Sequence, residues 1–587
     1  MLTRIIITFI LFSSFNVILA RISSQEEFDR MIDKGMHGIG VDEHIASGVY
    51  TLKKDVILTG PIRLKGKKVT ITGNNEILSQ DEVIGEEGDF DIYRIHTDIP
   101  DFSLFLDEQQ NIIPVSESVE AEKMVNFCSA VDGEYARKPG LPLRITTDCH
   151  VPKIRITETS RVYGYFDCGW SVINFSVKSI MGQHLYIETL NSTNTKDFNY
   201  EKRFYKNEIR YVLFNAEKKE GCIYYDSQYL YVPKKYKKIS IIRNLHKQAP
   251  SIHVKSDVEM SGITFMNFNG IKVESSTSSA CKVTNCQFLN TLGSALTIKK
   301  KSGTPSIPAT IENCRFQHCS IYTGNIISVT TDHTNKNCIY IRNCTINRYD
   351  DTFIMYKNAG GCVSLNGNVE ISDCRIYNTP RCHLYLAEGR IIAHDNILYN
   401  EQQFNQYKHR NLSSDFGLIY CDHFTNDSRI ALENTSNTIQ LERNILYDVY
   451  AYGNDARGIM IDDGRGDVSC IQNIIHNTGI YSIDARECNK FIGTSSIRTT
   501  FKGNLVGIKY RLQGGKDICE DDLPIVDGNY ILGNNTCKVI NTTTLQADIV
   551  IPGGFIQEIT NDKIIISQNI KRLIKKSFPK IPIKTNP

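Results

Sequence analysis

This chain of 587 residues predicts an all-β fold: a right-handed parallel β-helix (a solenoid) with an N-terminal cap and an inserted β-rich module. Three observations carry that expectation. A short motif recurs down the chain at intervals of 22–31 residues. The repeat units are rich in β-branched and aromatic residues and lack helical periodicity. Cysteines and asparagines fall at equivalent places in successive units, as stacked side chains would.

The motif is Asn or Asp, then Cys or Asn, then two residues of which at least one is apolar. It reads Asn285-Cys286-Gln287-Phe288, Asn313-Cys314-Arg315-Phe316, Asn343-Cys344-Thr345-Ile346 and Asp373-Cys374-Arg375-Ile376. It continues through Asn396-Ile397, Asn444-Ile445, Asn473-Ile474 and Asn504-Leu505, with Gly262-Ile263 before it and Asn529-Tyr530 after it. One interval, Asn396 to Asn444, is 48 residues and stands for two coils or for one coil with a long loop. A single unit cannot bury its own apolar face. Stacking coils at about 4.8 Å pairs each strand with the next and buries a continuous core. Aligned Asn side chains then form hydrogen-bonded ladders. A leucine-rich repeat needs a Leu skeleton that is missing here, and a propeller needs longer repeats.

In chain order, residues 1–20 read as a signal peptide: Arg4, then an apolar run ending at Ala20. Ser13, Ser14 and Asn16 interrupt that run and make it a weak membrane span. No cysteine adjoins the cleavage site, so the expected destination is secreted or periplasmic, without stable membrane insertion or a lipid anchor. Residues 21–82 give the cap and first coils. Phe28, Met31 and Ile32 sit at helical spacing in Ser24–Gly35, suited to cover an open solenoid end. Strands follow at Gly48-Val49-Tyr50, Asp55–Leu58 and Val69–Thr72. From 83 to 235 the periodicity changes and tyrosines abound (Tyr163, Tyr165, Tyr186, Tyr211, Tyr224, Tyr225, Tyr229 and Tyr231). This is the inserted module, returning to the solenoid near Ile239, with its tyrosines either filling cores or serving as sugar-stacking platforms. The main helix occupies 236–545, and 546–587 hold C-terminal strands and a solvated basic tail.

Composition excludes several classes. Hydrophobic content of 41% and charged content of 22% are globular rather than disordered. A net charge of +2 gives no attraction to nucleic acid. Eighteen cysteines in an exported chain first suggest disulfides. However, the repeat puts Cys286, Cys314, Cys344 and Cys374 in one stacked column whose side chains run parallel, so few bridges are expected. No zinc-type cysteine pattern occurs.

The candidate chemistry lies in three segments that align on a glycine. They are Gly417-Leu418-Ile419-Tyr420-Cys421-Asp422, Gly458-Ile459-Met460-Ile461-Asp462-Asp463 and Gly479-Ile480-Tyr481-Ser482-Ile483-Asp484. The fifth residue after each glycine is an Asp, so Asp422, Asp463 and Asp484 are expected as a column on one face. Asp462 would fall on the opposite side of the pleat unless a turn begins there. A column of like charges is costly, because carboxylates raise one another's pKa. Three readings stay open. The carboxylates perform acid–base work in glycoside hydrolysis, or they hold Ca²⁺ in a polysaccharide lyase. Otherwise they cap turns and pair with Arg457, Arg465 and Arg486. Those arginines, with His423 and His476, are the candidate substrate-binding residues, and no separate metal site is expected. The tripeptide Arg465-Gly466-Asp467 matches an adhesion motif by chance.

Gly458-Ile459-Met460-Ile461-Asp462-Asp463-Gly464 resembles the Gly-x-aromatic-x-Asp-Asp-Gly stretch of bacterial pectin-lyase-like β-helix glycoside hydrolases, fucosidase- and xylosidase-like members included. Gly417–Tyr420 is similar to that group's preceding strand, and Tyr211–Pro233 to its inserted module. The resemblance spans about residues 45–535. It implies carboxylate catalysis at Asp422, Asp462 and Asp463 on a polysaccharide or oligosaccharide substrate. Met460 replaces the commoner aromatic, Cys421 departs from small or polar residues, and the polygalacturonase signatures are absent. The expected function is therefore a secreted glycoside hydrolase without cofactor. The alternatives are a calcium-dependent lyase and a non-catalytic glycan-binding or adhesion solenoid.

Overall fold

The computed structural model describes residues 21–99, 103–116, 128–134, 142–147, 157–167, 171–181, 184–189, 210–215, 218–243, 251–275, 280–300, 308–320, 325–331, 339–347, 362–379, 382–401, 416–422, 439–449, 456–462, 468–476, 478, 481–486, 500–502, 505–506, 509–513, 525–527, 529–532, 537–540, 549–550, 556–560 and 563–566. The expected signal peptide and basic tail lie outside them. No helix among the described residues is long and apolar enough to cross a membrane.

Each complete coil has three strands. One coil runs through Leu384–Leu386, Ile391–His394 and Ile397–Tyr399, and the next through Phe416–Cys421, Ile439–Glu442 and Ile445–Tyr447. The first strand of each coil joins a sheet of 12 strands, hereafter the first sheet, and the other two join one of 24. Pairing between coils is parallel: Leu384 lies beside Ile419, Ile391 beside Ile439 and Ile397 beside Ile445. Alternate residues point inward, and those of the middle coils are completely buried, as with Ile391, Ala393, Ile439, Leu441 and Leu446. The chain is thus a parallel β-helix with one continuous core.

The two-residue turn between the second and third strands explains the motif. Its first residue is left-handed in every described coil from Lys68 onward: φ is 53° at Asn285, 55° at Asn313, 50° at Asn343 and 54° at Asp373. Asn and Asp tolerate this conformation best among residues with a Cβ. Asp395, Arg443 and Gln472 follow at 57°, 53° and 54°. The second turn residue points inward and is buried, first as Cys286, Cys314, Cys344 and Cys374, then as Asn396, Asn444 and Asn473. Gly262, with φ of 71°, occupies the left-handed place rather than the inward one, which Ile263 takes. The 48-residue interval is one coil, because Asn396 Nδ2 donates directly to Asn444 Oδ1 at 3.0 Å.

The cap is the helix Gln25–Met36. Ser24 Oγ accepts from the Glu27 N–H at 3.2 Å while the Glu27 carboxylate accepts from the Ser24 N–H at 3.2 Å, satisfying donors the helix start leaves open. Phe28 and Met31 are buried against the first coil. A Cβ on Gly35 would lie 2.9 Å from side-chain carbons of both Ile62 and Leu58, so the helix seats only because residue 35 has no side chain.

The insertion leaves after the strand Ile62–Gly73 and the solenoid resumes one coil on, at Ser251–Val254 and Val258–Met266, with Ile62 beside Val258. The strand containing Ile239, Lys238–Ile242, pairs with Glu76–Ser79 and Leu104–Leu106 instead, so it belongs to the excursion rather than to the solenoid. The excursion's strands therefore run from Glu76 to Ile242, beyond 83–235 at both ends. They form two four-stranded antiparallel sheets and a closed six-stranded barrel between Cys128 and Phe214. Leu104, Leu106 and Ile242 pack on Leu292 of the solenoid. Gln110 accepts from Asn267 Nδ2 at 2.8 Å through its side chain and from Asn290 Nδ2 at 3.1 Å through its backbone. Tyr93, Tyr224, Tyr225 and Tyr231 are buried, so these four fill cores.

Candidate functional site

The outer face of the first sheet carries the candidate chemistry. Parallel pairing aligns Ser364, Tyr385, Tyr420, Met460, Asp484 and Arg511 in one register column across six coils. The strand neighbours of the middle three, Leu384, Leu386, Ile419, Cys421, Ile459 and Ile461, are buried in the core, which sets Tyr385, Tyr420 and Met460 on the outer side.

Asp422 and Asp462 sit one residue beyond their strands. The Asp422 N–H donates to Leu386 O at 2.9 Å and the Asp462 N–H to Cys421 O at 3.0 Å. Cys421 pairs with Ile461, so the two aspartates occupy equivalent places one coil apart. Both are part-exposed. Each is held by a phenol of the preceding coil: Tyr385 Oη donates to Asp422 Oδ2, and Tyr420 Oη donates to Asp462 Oδ2. The tyrosine rings stack with centroids 5.5 Å apart and planes inclined by 7°. Cys382 and Met460 close around Tyr420, leaving it 7% exposed. Burial, then the charge and hydrogen bond of Asp462, push the Tyr420 phenol far above the ordinary tyrosine range. It stays protonated and can only donate to that carboxylate.

The expected column of Asp422, Asp463 and Asp484 has a different register in the structure. Asp462 takes the place beside Asp422, because the strands Phe416–Cys421 and Ala456–Ile461 align Gly417 with Arg457 rather than with Gly458. Asp463, His423 and Arg465 lie outside the described residues. Asp484 pairs with Met460, two residues back along the strand from the Asp422–Asp462 position. Arg486 follows Ala485, the partner of Ile461, and so shares the Asp462 register. Arg457 is on the same sheet and 3% exposed. A Cβ on Gly417 would come 3.1 Å from Met460 Cβ, so the side of the strand from which Arg457 starts is the Met460 side. His476 is elsewhere: it pairs with Tyr447 in the third strand of its coil.

Tyr385 and Tyr420 were not among the expected residues. Aligning Leu384-Tyr385-Leu386 with Ile419-Tyr420-Cys421 would have found them, but the preceding coil has no glycine at the alignment point. Beneath this coil His383 is fully buried. Its Nε2 donates to Tyr399 O at 2.9 Å and its Nδ1 accepts from Thr379 Oγ1 at 3.0 Å, the only tautomer a carbonyl partner allows. Burial lowers its pKa to about 4. Among the described residues no three His, Cys, Asp or Glu side chains converge on a metal-sized site. Eleven cysteines of the described residues, Cys222 and ten of the solenoid, are free thiols.

Residues 269–405 match the family model described as the right handed beta helix region, and the solenoid is right-handed. No curated protein matches the chain. Among solved structures, one titled "Glycoside hydrolase" is 10% identical with a TM-score of 0.48, over 86% of this chain and 91% of that one. XylC in complex with xylose is 12% identical with a TM-score of 0.33, over 91% of this chain and 74% of that one. The tailspike protein gp49 from Pseudomonas phage LKA1 is 12% identical with a TM-score of 0.22, over 86% of this chain and 77% of that one. At such identities side-chain chemistry does not carry over.

Proposed function

We propose that this protein is a secreted glycoside hydrolase in which Asp422 and Asp462 are the reacting carboxylates on a polysaccharide or oligosaccharide. The observation that carries this reading is their shared register on adjacent coils, each with one oxygen fixed by a tyrosine of the coil before. A structural solenoid gains nothing by aligning two part-exposed carboxylates one coil apart, since like charges at that spacing repel. A pair of donors that must act together gains a fixed separation.

Adjacent coils are about 4.8 Å apart, near the roughly 5–5.5 Å that retaining glycosidases use and short of the roughly 6.5–9.5 Å of inverting ones. The supported reaction is therefore a double displacement. One carboxyl protonates the leaving oxygen while the other attacks the anomeric carbon and forms a glycosyl ester. Water then hydrolyses that ester, deprotonated by the first group. Tyr420, locked as a donor, fixes one oxygen of Asp462 and leaves the other to attack, which suits it to the nucleophile's place. Asp422, beside the part-exposed Tyr385, then takes the place of acid and base. Arg457, Arg486 and Asp484 are then the same-sheet residues left to shape substrate binding.

Purified protein screened against a glycan panel tests this. Release of reducing ends with retained anomeric configuration is expected, abolished by Asp462→Asn. Products that absorb in the ultraviolet through an unsaturated uronate, lost on chelation, would replace hydrolysis by calcium-dependent elimination. Glycan binding that survives Asp462→Asn, with no cleavage by the unaltered protein, would leave only a binding solenoid.

A further inference from the structure

We infer that the α-amino group of Arg21, freed by hydrolytic removal of residues 1–20, docks on the Glu43 carboxylate and ties down the N-terminal end of the solenoid. This goes beyond the hydrolase reading and shares with it only the export of the chain.

Glu43 stands where the core calls for an apolar residue. In its strand, Val41–Ile45, both end residues are buried, and Glu43, two residues from each, points the same way, inward. Parallel pairing sets it beside Leu64, and Leu64 beside Met260, both members of the continuous core. Its neighbours Asp42 and His44 are exposed on the other side. The cations of the adjoining strand also lie on that outer side: Arg63 is 3.5 Å from Asp42 and Lys65 is 3.5 Å from Glu259. Glu43 Oε2 is sealed from solvent and has no hydrogen-bond partner. A carboxylate oxygen in that condition is costly, and what would relieve it is a donor that carries positive charge.

The strand Arg21–Ile22 brings such a donor within reach. It borders the sheet and pairs with Val41–Ile45, Arg21 beside His44 and Ile22 beside Ile45. Ile22 is buried, and its carbonyl accepts from the Ala46 N–H at 2.7 Å and from Tyr50 Oη at 3.2 Å, which pins the register. One step back from His44 is Glu43, so the Arg21 nitrogen enters the strand on the Glu43 side. Paired strands are about 4.8 Å apart, a gap that a glutamate side chain can span.

In the precursor that nitrogen belongs to a peptide bond and offers a single uncharged N–H. A signal peptidase changes its chemistry by hydrolysing the Ala20–Arg21 bond. The C–N bond breaks and its electron pair stays on nitrogen. The oxygen of one water joins the Ala20 carbonyl carbon, which departs as a carboxylate with residues 1–20, and both protons of that water pass to nitrogen. The product is an ammonium with three donors, one strand away from the carboxylate oxygen that lacks one, and it is charged below about pH 7.7. The resulting charge-assisted bond joins the bordering strand to the first coil beside the cap helix. The tie therefore forms only once the leader has gone.

N-terminal sequencing of protein exported by a secreting host is expected to give Arg21 first. Protein released at Arg21 from a tag by a specific protease tests the docking without relying on export. By NMR of the ¹³C-methylated α-amine, it is expected to titrate above the ordinary α-amino range, and Glu43→Gln is expected to return it to that range. Hydrogen exchange across Val41–Ile45 is expected to quicken about tenfold in Glu43→Gln when the chain begins at Arg21, and to stay unchanged by that substitution when two added alanines keep Arg21 in peptide linkage. A first residue other than Arg21 in the exported protein, an ordinary titration of the unaltered protein's α-amine, or equal quickening with and without the alanines overturns the inference. If the amine titrates high but the same protein cuts no glycan, the hydrolase reading falls and the docked terminus stands. Glycan cleavage by a protein whose amine titrates normally gives the reverse.

Discussion

The coils from Cys286 to Cys374 and those from Asn396 to Asn473 share one backbone and differ in how they are tied together. In the first group each thiol donates to a carbonyl of its own coil at 3.2–3.3 Å. It reaches the carbonyl of the coil before only at 3.5–3.8 Å. In the second group an amide nitrogen bonds the equivalent carbonyl at 2.8–3.0 Å. The amide oxygens accept both a backbone N–H and a side-chain N–H from the preceding coil at Asn444 and Asn473. The outer turn residue changes too. Asn343 bonds Asn313 in the thiol coils, whereas Arg443 grips Asp395 with two nitrogens, at 2.9 and 2.7 Å, in the amide coils. The amide coils are the ones that carry Tyr385, Tyr420, Asp422, Met460 and Asp462. Thiols fill space and leave coil spacing to the sheets. Amides fix it with hydrogen bonds, and a site whose two carboxylates belong to different coils needs that spacing held.

The comparison can be broken in order of expected effect. Asp422→Asn and Asp462→Asn should each cut the rate of the proposed hydrolysis by about 10²- to 10⁴-fold while leaving unfolding by urea unchanged, because these residues act outside the core. A parallel loss of stability would make them structural instead. Asn444→Ala should cost on the order of 4 kcal/mol in denaturant unfolding, since it removes the side-chain partner of Asn396 N–H, of one Asn396 Nδ2 hydrogen and of Ala393 O in the interior, and leaves Asn473 Oδ1 with the backbone N–H alone. Cys344→Ala, its counterpart in the thiol coils, should cost only about 1 kcal/mol, and equal losses would remove the distinction.

Acid separates the two regions as well. The unfolded chain binds a proton at His383 near the ordinary value, while burial lowers the folded value to about 4. The unfolded state therefore holds more protons between those values. Stability is full above about pH 6.5 and falls by up to about 3 kcal/mol as pH drops to about 4. His383→Gln should flatten that slope in thermal melts taken across the range, and a slope that persists would place the loss elsewhere. Asp395 gives a smaller effect at lower pH. Burial raises its pKa, but Arg443 and His394 outweigh this and hold it below the ordinary carboxylate value. Its contribution is present above that value and lost as pH falls through the lowered one. Asp395→Asn should cost about 1 kcal/mol at neutral pH and nothing at the acid end.

Much of the fold was legible because a solenoid repeats its local rules. The left-handed turn residue, the inward Cys or Asn and the flanking apolar pair recur closely enough to locate seven consecutive described turns from Asn285 to Gln472. The cap helix announced itself through the helical spacing of Phe28, Met31 and Ile32 within Ser24–Gly35. The site was less legible. Asp422 and Asp462 were both candidates, yet glycine alignment paired Asp422 with Asp463, because it assumed strands of equal length from glycine to turn. Backbone pairing counts from Ile419 and Ile459, the residues that enter the core, and these place Asp462 in the column. Tyr385 stayed hidden for the same reason, since its strand has no glycine to align.

Sequence by itself determined that the chain winds into stacked coils, and which residue of each turn faces in, because those choices rest on periodicity and on the few residue types that accept a left-handed backbone or a buried slot. Only the tertiary structure decided which carboxylates stand side by side and which tyrosine holds each one. That depends on the register between strands some 40 residues apart, set by how Ile419 and Cys421 seat against Ile459 and Ile461 in the core. A shift of one residue there would turn every outward side chain to the other face.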